Sequence, residues 1–263
     1  MSAVKDALHI ASPGGPLYVE IFKGTQHDPA MPPLILLHDS LGCISLWRDF
    51  PEKLAQACGR SVVAYDRLGF GQSAPHPASL PMDFIPLEAQ TNFKAVVEHL
   101  GIQQFALLGH SVGGGMALAV AAAFAARCRA VITESAQTFV EDRTLAGIAR
   151  ARQDFLTDGQ MQRLAKYHGE KAGWVLDAWV DTWLSPSFRD WSLDQVLPSV
   201  RCPVLALHGT EDEYGSSAHP QRIQASAGGA VTIQLMPGVG HVPHREQEAH
   251  VIALVRDFLA TAV

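Results

Sequence analysis

Five consecutive residues carry the most specific chemical pattern in the sequence, Gly109-His110-Ser111-Val112-Gly113. They stand between an apolar run at residues 105–108, typical of a strand, and an Ala-rich segment typical of a helix. A sharp strand-to-helix turn strains its central residue and needs small neighbours, because the adjoining chain passes close by. Such a turn lifts the serine hydroxyl clear of the sheet. The pattern therefore predicts Ser111 as a nucleophile, with a purely structural glycine-rich turn as the alternative.

A serine hydroxyl attacks only after a base removes its proton, and an acid must orient that base. Asp212 follows the apolar run 203–207, and His241 follows the run 231–235. In a parallel sheet the carboxyl ends of the strands meet at one edge, where such sheets bind ligands. Ser111 leaves its predicted strand at the same end. We therefore expect Asp212, His241 and Ser111 to come together at this edge.

Short apolar runs alternate with amphipathic segments along the chain, the pattern of strands joined by crossover helices. Uninterrupted apolar runs are typical of strands buried on both faces. An early hairpin is predicted to use residues 17–22, and the other predicted strands are residues 34–37, 61–65, 105–108, 130–133, 203–207 and 231–235. Helices are predicted at residues 47–58, at 87–100, from 112 onward and at 245–259. The expected fold class is α/β, with a mostly parallel sheet and helices on both faces.

The alternation stops for about sixty residues after the predicted strand 130–133. Residues 137–196 hold several helical patterns, no convincing strand, and four of the five tryptophans. We therefore predict a helical cap at 137–196, inserted into an α/β core formed by residues 1–136 and 197–263. Its aromatic residues either line an apolar pocket or hold the cap helices together, and packing is the expectation for any single one.

Four blocks of sequence resemble the α/β-hydrolase superfamily, from about residue 17 to the C-terminus. They are Leu-Leu-His-Asp-Ser-Leu-Gly at 36–42, Tyr-Asp-Arg-Leu-Gly-Phe-Gly-Gln-Ser at 65–73, the turn around Ser111, and His-Gly-Thr-Glu-Asp at 208–212 with Gly-Val-Gly-His at 238–241. The resemblance implies the α/β-hydrolase fold and the catalytic order serine, acid, histidine. The block 65–73 is expected to organise a tight loop beside the site rather than to perform chemistry.

Several carboxylates compete for the role of the acid. Glu211 and Glu213 flank Asp212, and Glu134 follows the predicted strand 130–133, where some members of the superfamily place their acid. The resemblance favours Asp212, because this residue holds the aspartate position of the His-Gly-x-x-Asp block.

Among the twelve histidines, His241 is the expected base and His244 is its nearest rival. The expected role of His244 is that of a polar residue at the start of the last helix. Two histidines three positions apart, without a further cluster of ligands, are weak evidence for a metal, so none is predicted. His38 and His110 are expected to support the site rather than to take part in the reaction.

An oxyanion hole made of backbone N–H groups is required once the serine attacks a carbonyl. Val112, directly after the nucleophile, should supply one donor. For the other donor the resemblance points to Ser40, in the loop after the strand 34–37. Asp39 stands where the superfamily usually has Gly, so this second assignment stays open, with shaping of the pocket floor as the alternative role for Asp39.

The composition excludes several classes of protein. A net charge of −6, with twenty scattered Lys and Arg residues, argues against binding to nucleic acid or to an anionic membrane. The first residues lack the apolar core of a signal peptide, and no apolar run is long enough to span a membrane. The four cysteines show no disulfide or metal-ligand spacing, so free thiols and a cytoplasmic location are expected. The sequence leaves the oligomeric state open.

The predicted function is hydrolysis of a carboxylic ester or thioester of a small molecule through an acyl-enzyme, without a cofactor. A serine at the turn disfavours the members of the superfamily that use an aspartate nucleophile. The alternatives are a carbon–carbon bond hydrolase, whose relatives usually have a glycine-rich stretch after His38, and a cofactor-free lyase. A non-catalytic binding protein is a third alternative, and the intact Ser111, Asp212 and His241 argue against it.

Overall fold

A computed structural model describes residues 4–157 and 159–262. Five residues lie outside the described ranges. Of these, residues 1–3 and 263 were predicted as part of the core, and residue 158 was predicted as part of the cap. The described chain forms one eight-stranded sheet in the order β1-β2-β4-β3-β5-β6-β7-β8. The strands are β1 Val4–Ile10, β2 Leu17–Lys23, β3 Leu34–Leu37, β4 Val62–Tyr65, β5 Phe105–His110, β6 Cys128–Glu134, β7 Val204–Gly209 and β8 Val231–Met236.

Helices lie between the strands of the parallel part of the sheet and after the last strand. They are α1 Phe50–Cys58, α2 Phe84–Gln90, α3 Asn92–His99, α4 Val112–Ala123, α5 Asp142–Asp154, α6 Gln160–His168, α7 Ala172–Trp183, α8 Ala218–Ser226, α9 Pro243–Glu246 and α10 Glu248–Ala262. The six strands β4-β3-β5-β6-β7-β8 pair in parallel with their neighbours. Strands β1 and β2 form an antiparallel hairpin, and β2 also pairs antiparallel with β4. The predicted α/β class with a mostly parallel sheet is confirmed.

The core lies on both faces of the sheet, because alternate residues of a strand point to opposite sides. Ile35 and Leu37 of β3 pack in the layer that contains α2, α3 and α4. Leu34 and Leu36 pack in the opposite layer, against α1 and α10. All four side chains are fully buried, which explains why β3 is apolar throughout rather than alternating.

Two predicted helices are divided in the structure. The helix predicted at 87–100 is α2 and α3, which meet at Thr91, where the backbone leaves the helical region with φ −116° and ψ −98°. The Thr91 hydroxyl donates a hydrogen bond to the carbonyl of Leu87, a side-chain contact that competes with helical hydrogen bonding. The last predicted helix is likewise divided at Gln247, with φ −135° and ψ 51°, into α9 and α10.

Residues 137–196, between β6 and β7, contain α5, α6 and α7. Within the described part of this segment, strand-like pairing is limited to one isolated bridge between Phe139 and Ser192, near its two ends. Trp183 and Phe188 are buried and pack edge to face, with ring centroids 5.1 Å apart. The role of this segment as a cap stays a prediction.

All four cysteines are free thiols, and the Sγ atoms of Cys128 and Cys202 lie 3.7 Å apart. Over the described ranges, every helix is too short or too polar to cross a lipid bilayer.

Candidate active site

Ser111 occupies a strained turn between the end of β5 and the start of α4. Its φ of 56° and ψ of −124° lie in a region that non-glycine residues rarely adopt. A Cβ atom on Gly109 would lie 2.1 Å from the carbonyl oxygen of Gly113, and one on Gly113 would lie 2.2 Å from that of Leu37. Both positions therefore require glycine, which accounts for the spacing of the pattern around Ser111.

The structure brings together the three residues that the sequence singled out. His241 Nε2 lies 3.0 Å from Ser111 Oγ, and His241 Nδ1 lies 2.8 Å and 2.9 Å from the two carboxylate oxygens of Asp212. Asp212 follows β7, and His241 follows β8, the strand that pairs in parallel with β7. The imidazole can therefore accept the serine proton at one nitrogen while the carboxylate holds the other.

Asp212 is fully buried and is built to remain ionised. Its Oδ1 accepts hydrogen bonds from the N–H groups of Tyr214 and Gly215, at 2.8 Å and 3.1 Å, in addition to its contact with His241. Burial alone would raise the pKa of this carboxyl group, but hydrogen bonding and charge from His241, with the N–H of Tyr214, outweigh burial and lower the pKa to about 2. A permanent negative charge therefore faces His241.

The competing acids lie elsewhere. Glu134 is fully buried and bonds to His244 Nδ1 at 2.5 Å. Glu211 and Glu213 are exposed on either side of Asp212. Asp212 is thus the carboxylate whose side chain the structure places against His241.

The pairing of Glu134 with His244 is a feature that sequence reasoning missed. The sequence predicted an ordinary polar position for His244, yet this residue is buried, and its ring lies 4.7 Å from that of Trp47 and 5.2 Å from that of Phe50. The available signal was a carboxylate at the end of a predicted strand together with a second histidine three residues after His241.

The predicted oxyanion donors lie beside the nucleophile. Val112 is the first residue of α4, and the first N–H groups of a helix have no acceptor within that helix. Ser40 lies in the loop after β3 and borders a small cleft together with Val112. Their roles as donors stay predictions.

Ser111 and His241 open into a cavity of about 250 Å³. Trp179 and Tyr214 supply aromatic surface to its wall, and the other lining residues are Asp39, Ser40, Leu41, Gln137, Glu213 and Val242. Trp179 and Gln137 come from residues 137–196, so this segment contributes directly to the wall of the cavity.

Two supporting interactions stabilise the loops around the cavity. The buried Asp66 carboxylate accepts hydrogen bonds from the N–H groups of Ile44 and Gln72, so it joins two loops, as the sequence predicted for the block 65–73. Asp39 borders the cavity, and its Oδ2 lies 3.4 Å from His110 Nδ1. Across residues 4–157 and 159–262, no group of three or more His, Cys, Asp or Glu side chains is arranged to hold a metal ion.

Comparison with known proteins is consistent with this geometry. A family model described as "alpha/beta hydrolase fold" matches residues 32–194. Serine hydrolase BPHL of Mus musculus is 27% identical over 205 residues, which cover 76% of this chain and 69% of that protein. A proline iminopeptidase of Lactobacillus helveticus is 36% identical over 91 residues, but the match spans only 33% of this chain and 29% of that protein.

Among solved structures, a proline iminopeptidase from Mycobacterium smegmatis superposes with a TM-score of 0.78 at 22% identity, covering 98% of both chains. At this level of identity the likeness concerns the fold. The similarity extends over residues 137–196 as well as the sheet, because nearly the whole chain is covered.

Proposed function

The chain belongs to the alpha/beta-hydrolase family, and within it we propose a serine hydrolase that cleaves a carboxylic ester or thioester of a small molecule through an acyl-enzyme. The proposal depends above all on the position of His241, whose two ring nitrogens lie within hydrogen-bonding distance of Ser111 and Asp212. The similarity to a serine hydrolase of Mus musculus supports the same reaction class.

In the proposed reaction, His241 Nε2 takes the proton of Ser111 while Oγ attacks the substrate carbonyl. The backbone N–H groups of Val112 and Ser40 would stabilise the oxygen as it gains negative charge. His241 then gives the proton to the departing alcohol or thiol, which leaves the acyl group on Ser111. A water molecule that loses a proton to His241 attacks the acyl-enzyme. His241 then returns this proton to Ser111 Oγ as the bond to the acyl group breaks and the acid leaves.

We further propose that residues 137–196 act as a cap that restricts the substrate. Trp179 and Gln137 of this segment border the same cavity as Ser111. A cavity of about 250 Å³ suits a small acyl group better than a long chain or a folded protein.

A second candidate is hydrolysis of an amide bond next to a free amino group. Glu213 places an exposed carboxylate on the cavity wall, and a carboxylate attracts a protonated amine. The partial similarity to a proline iminopeptidase supports this alternative.

A fluorophosphonate probe and a substrate panel test both candidates. We expect the probe to label the protein at Ser111, and the Ser111→Ala variant to show neither labelling nor turnover while its circular dichroism spectrum is unchanged. The panel should contain p-nitrophenyl esters of graded acyl length, acyl thioesters and prolyl arylamides. Faster turnover of short esters or thioesters supports the main proposal, whereas a preference for prolyl arylamides favours the second candidate. Labelling by the probe at a residue other than Ser111 would contradict both candidate functions.

A further inference from the structure

His110, the residue before the nucleophile, lies between two oxygen atoms that can only accept hydrogen bonds. Its Nε2 lies 2.8 Å from the backbone carbonyl oxygen of His241, and its Nδ1 lies 3.4 Å from Oδ2 of Asp39. A neutral imidazole carries one N–H group, whereas an imidazolium carries two. Both contacts are therefore favourable at the same time only when His110 is positively charged.

We propose that His110 is a positioning residue held as an imidazolium, which anchors the backbone of His241 and neutralises Asp39 beside the nucleophile. The inference rests on the proposed function, because it assigns a further role within the same site. Nothing in the hydrolytic reaction itself requires a second charged histidine, so the role is additional to that of His241.

The surroundings of His110 supply the charges that this state needs. The side chain is 2% exposed and faces Asp39 from the loop after β3, Glu134 from β6, His241 from the loop after β8 and His244 from α9. The small cleft beside the ring is also bordered by the titratable and charged residues His38, Cys43 and Arg245. The Glu134 carboxylate is already bonded to His244, which leaves Asp39 as the carboxylate in direct contact with His110.

The balance of these effects favours the charged ring. Burial alone would lower the pKa of His110, but hydrogen bonding to and charge from Asp39, followed by the charge of Glu134, outweigh burial and raise the pKa above its usual value. For Asp39, burial would raise the pKa, and the contact with His110 overcomes that effect and lowers it. The two groups therefore stabilise each other as an ion pair.

Loss of the His110 proton should impair catalysis through one of two routes. If the remaining proton sits on Nδ1, the lone pair of Nε2 faces the carbonyl of His241 and weakens the anchor of the catalytic loop. If it sits on Nε2, the lone pair of Nδ1 faces Asp39, whose uncompensated charge opposes the developing oxyanion. Either route lowers kcat more than it raises KM.

Because the pKa of His110 is raised, the imidazolium is present below that pKa and is lost as pH rises through it.

The activity should therefore fall at alkaline pH. This fall reports deprotonation of His110. On the alkaline side we expect kcat to fall by about tenfold per pH unit beyond the midpoint, as for loss of a single essential proton.

The Asp39→Asn variant separates this role from a merely structural one. An asparagine amide can donate a hydrogen bond to the bare Nδ1 of a neutral imidazole, so both contacts survive deprotonation. With a neutral p-nitrophenyl ester from about pH 5 to about pH 10, the variant should lose the alkaline fall in kcat. Glu213→Gln is the matched control, because it removes another carboxylate from the same cavity and should retain the alkaline fall. An alkaline fall that persists unchanged in Asp39→Asn would overturn the proposal.

Nitrogen NMR of the imidazole rings tests the protonation state without relying on turnover. In Ser111→Ala protein followed from about pH 5 to about pH 10, both ring nitrogens of His110 should keep their protons to a pH above the ordinary histidine pKa of about 6.5, with the signals assigned by their loss in His110→Gln. Deprotonation of the ring at or below that ordinary value would refute the ion pair even if Asp39→Asn failed to fold. Absence of fluorophosphonate labelling would instead count against the proposed hydrolase, and the NMR result would still decide the state of His110.

Discussion

In the proposed reaction, Asp212 performs two tasks with one carboxylate, since it orients His241 and supplies the charge that favours a protonated ring. An asparagine side chain at this position could donate its amide proton to Nδ1 and leave the wrong tautomer facing Ser111. We expect Asp212→Asn to lower kcat by about 10⁴-fold with little change in KM. Steady-state kinetics on the best ester of the substrate panel would measure the effect.

Glu134→Gln is the informative comparison for this prediction. Glu134 bonds to His244 rather than to His241. The variant should therefore lower the free energy of unfolding, while its kcat should fall far less than that of Asp212→Asn. A loss of kcat for Glu134→Gln comparable to that expected for Asp212→Asn would identify Glu134 as the acid instead.

The sequence predicted those residues of the site that directly follow a strand. Ser111, Asp212 and His241 each follow an apolar run, so their convergence at one edge follows from a parallel sheet. The contacts of His110 with Asp39 and of His244 with Glu134 were not predicted, because they depend on which loops fold over the edge of the sheet. Each pair joins residues from distant parts of the chain, such as Glu134 and His244, and no periodic pattern in the sequence links such positions.

At the scale of elements, the turn before α4 depends on how closely this helix approaches β3. A Cβ atom on Gly113 would lie 2.2 Å from the carbonyl oxygen of Leu37 and 2.6 Å from that of His38. Backbone atoms cannot move aside as a flexible side chain can, so Gly113→Ala must displace α4 or the loop that carries Ser40. We expect this variant to lose roughly 3 kcal/mol or more of unfolding free energy, measured by urea denaturation.

Gly173→Ala provides the control for this substitution. Gly173 is an exposed residue of α7, and a Cβ atom there would meet no atom within 4 Å. Because alanine favours a helix over glycine, the control should gain about 0.5–1 kcal/mol of unfolding free energy. Wild-type stability and activity in Gly113→Ala would show that the turn tolerates a side chain and would contradict our account of the glycine pattern.

Element boundaries were less predictable than the existence of elements. The runs of apolar residues located every strand from β2 to β8, whereas the division between α2 and α3 at Thr91 left no break in the helical pattern. Hydrophobic periodicity reports which face of a segment is buried, and both helices bury the same side against the sheet. Hydrophobic periodicity therefore does not detect a local change of backbone direction that preserves the buried face.

At the scale of the whole molecule, the buried charge of Asp212 couples the stability of the fold to pH. The pKa of Asp212 is about 2 in the folded chain, against about 3.9 for an unfolded aspartate. A carboxyl group whose pKa is lower in the folded state contributes stability above its unfolded pKa and loses it as pH falls through the folded value. The difference corresponds to about 2 kcal/mol, lost between about pH 5 and about pH 2.

Asp212→Asn removes this titrating group, so the unfolding free energy of the variant should depend less steeply on pH in the acid range. Urea denaturation of both proteins at several pH values between about 7 and 2 would measure the two slopes. The wild-type protein should lose about 2 kcal/mol more than Asp212→Asn over this range, whatever the difference between them at neutral pH. Parallel curves would mean that the Asp212 carboxylate gains nothing from His241 and its backbone donors on folding. The orientation of His241 by a charged partner would then lose its physical basis, and with it the assignment of Asp212 as the acid.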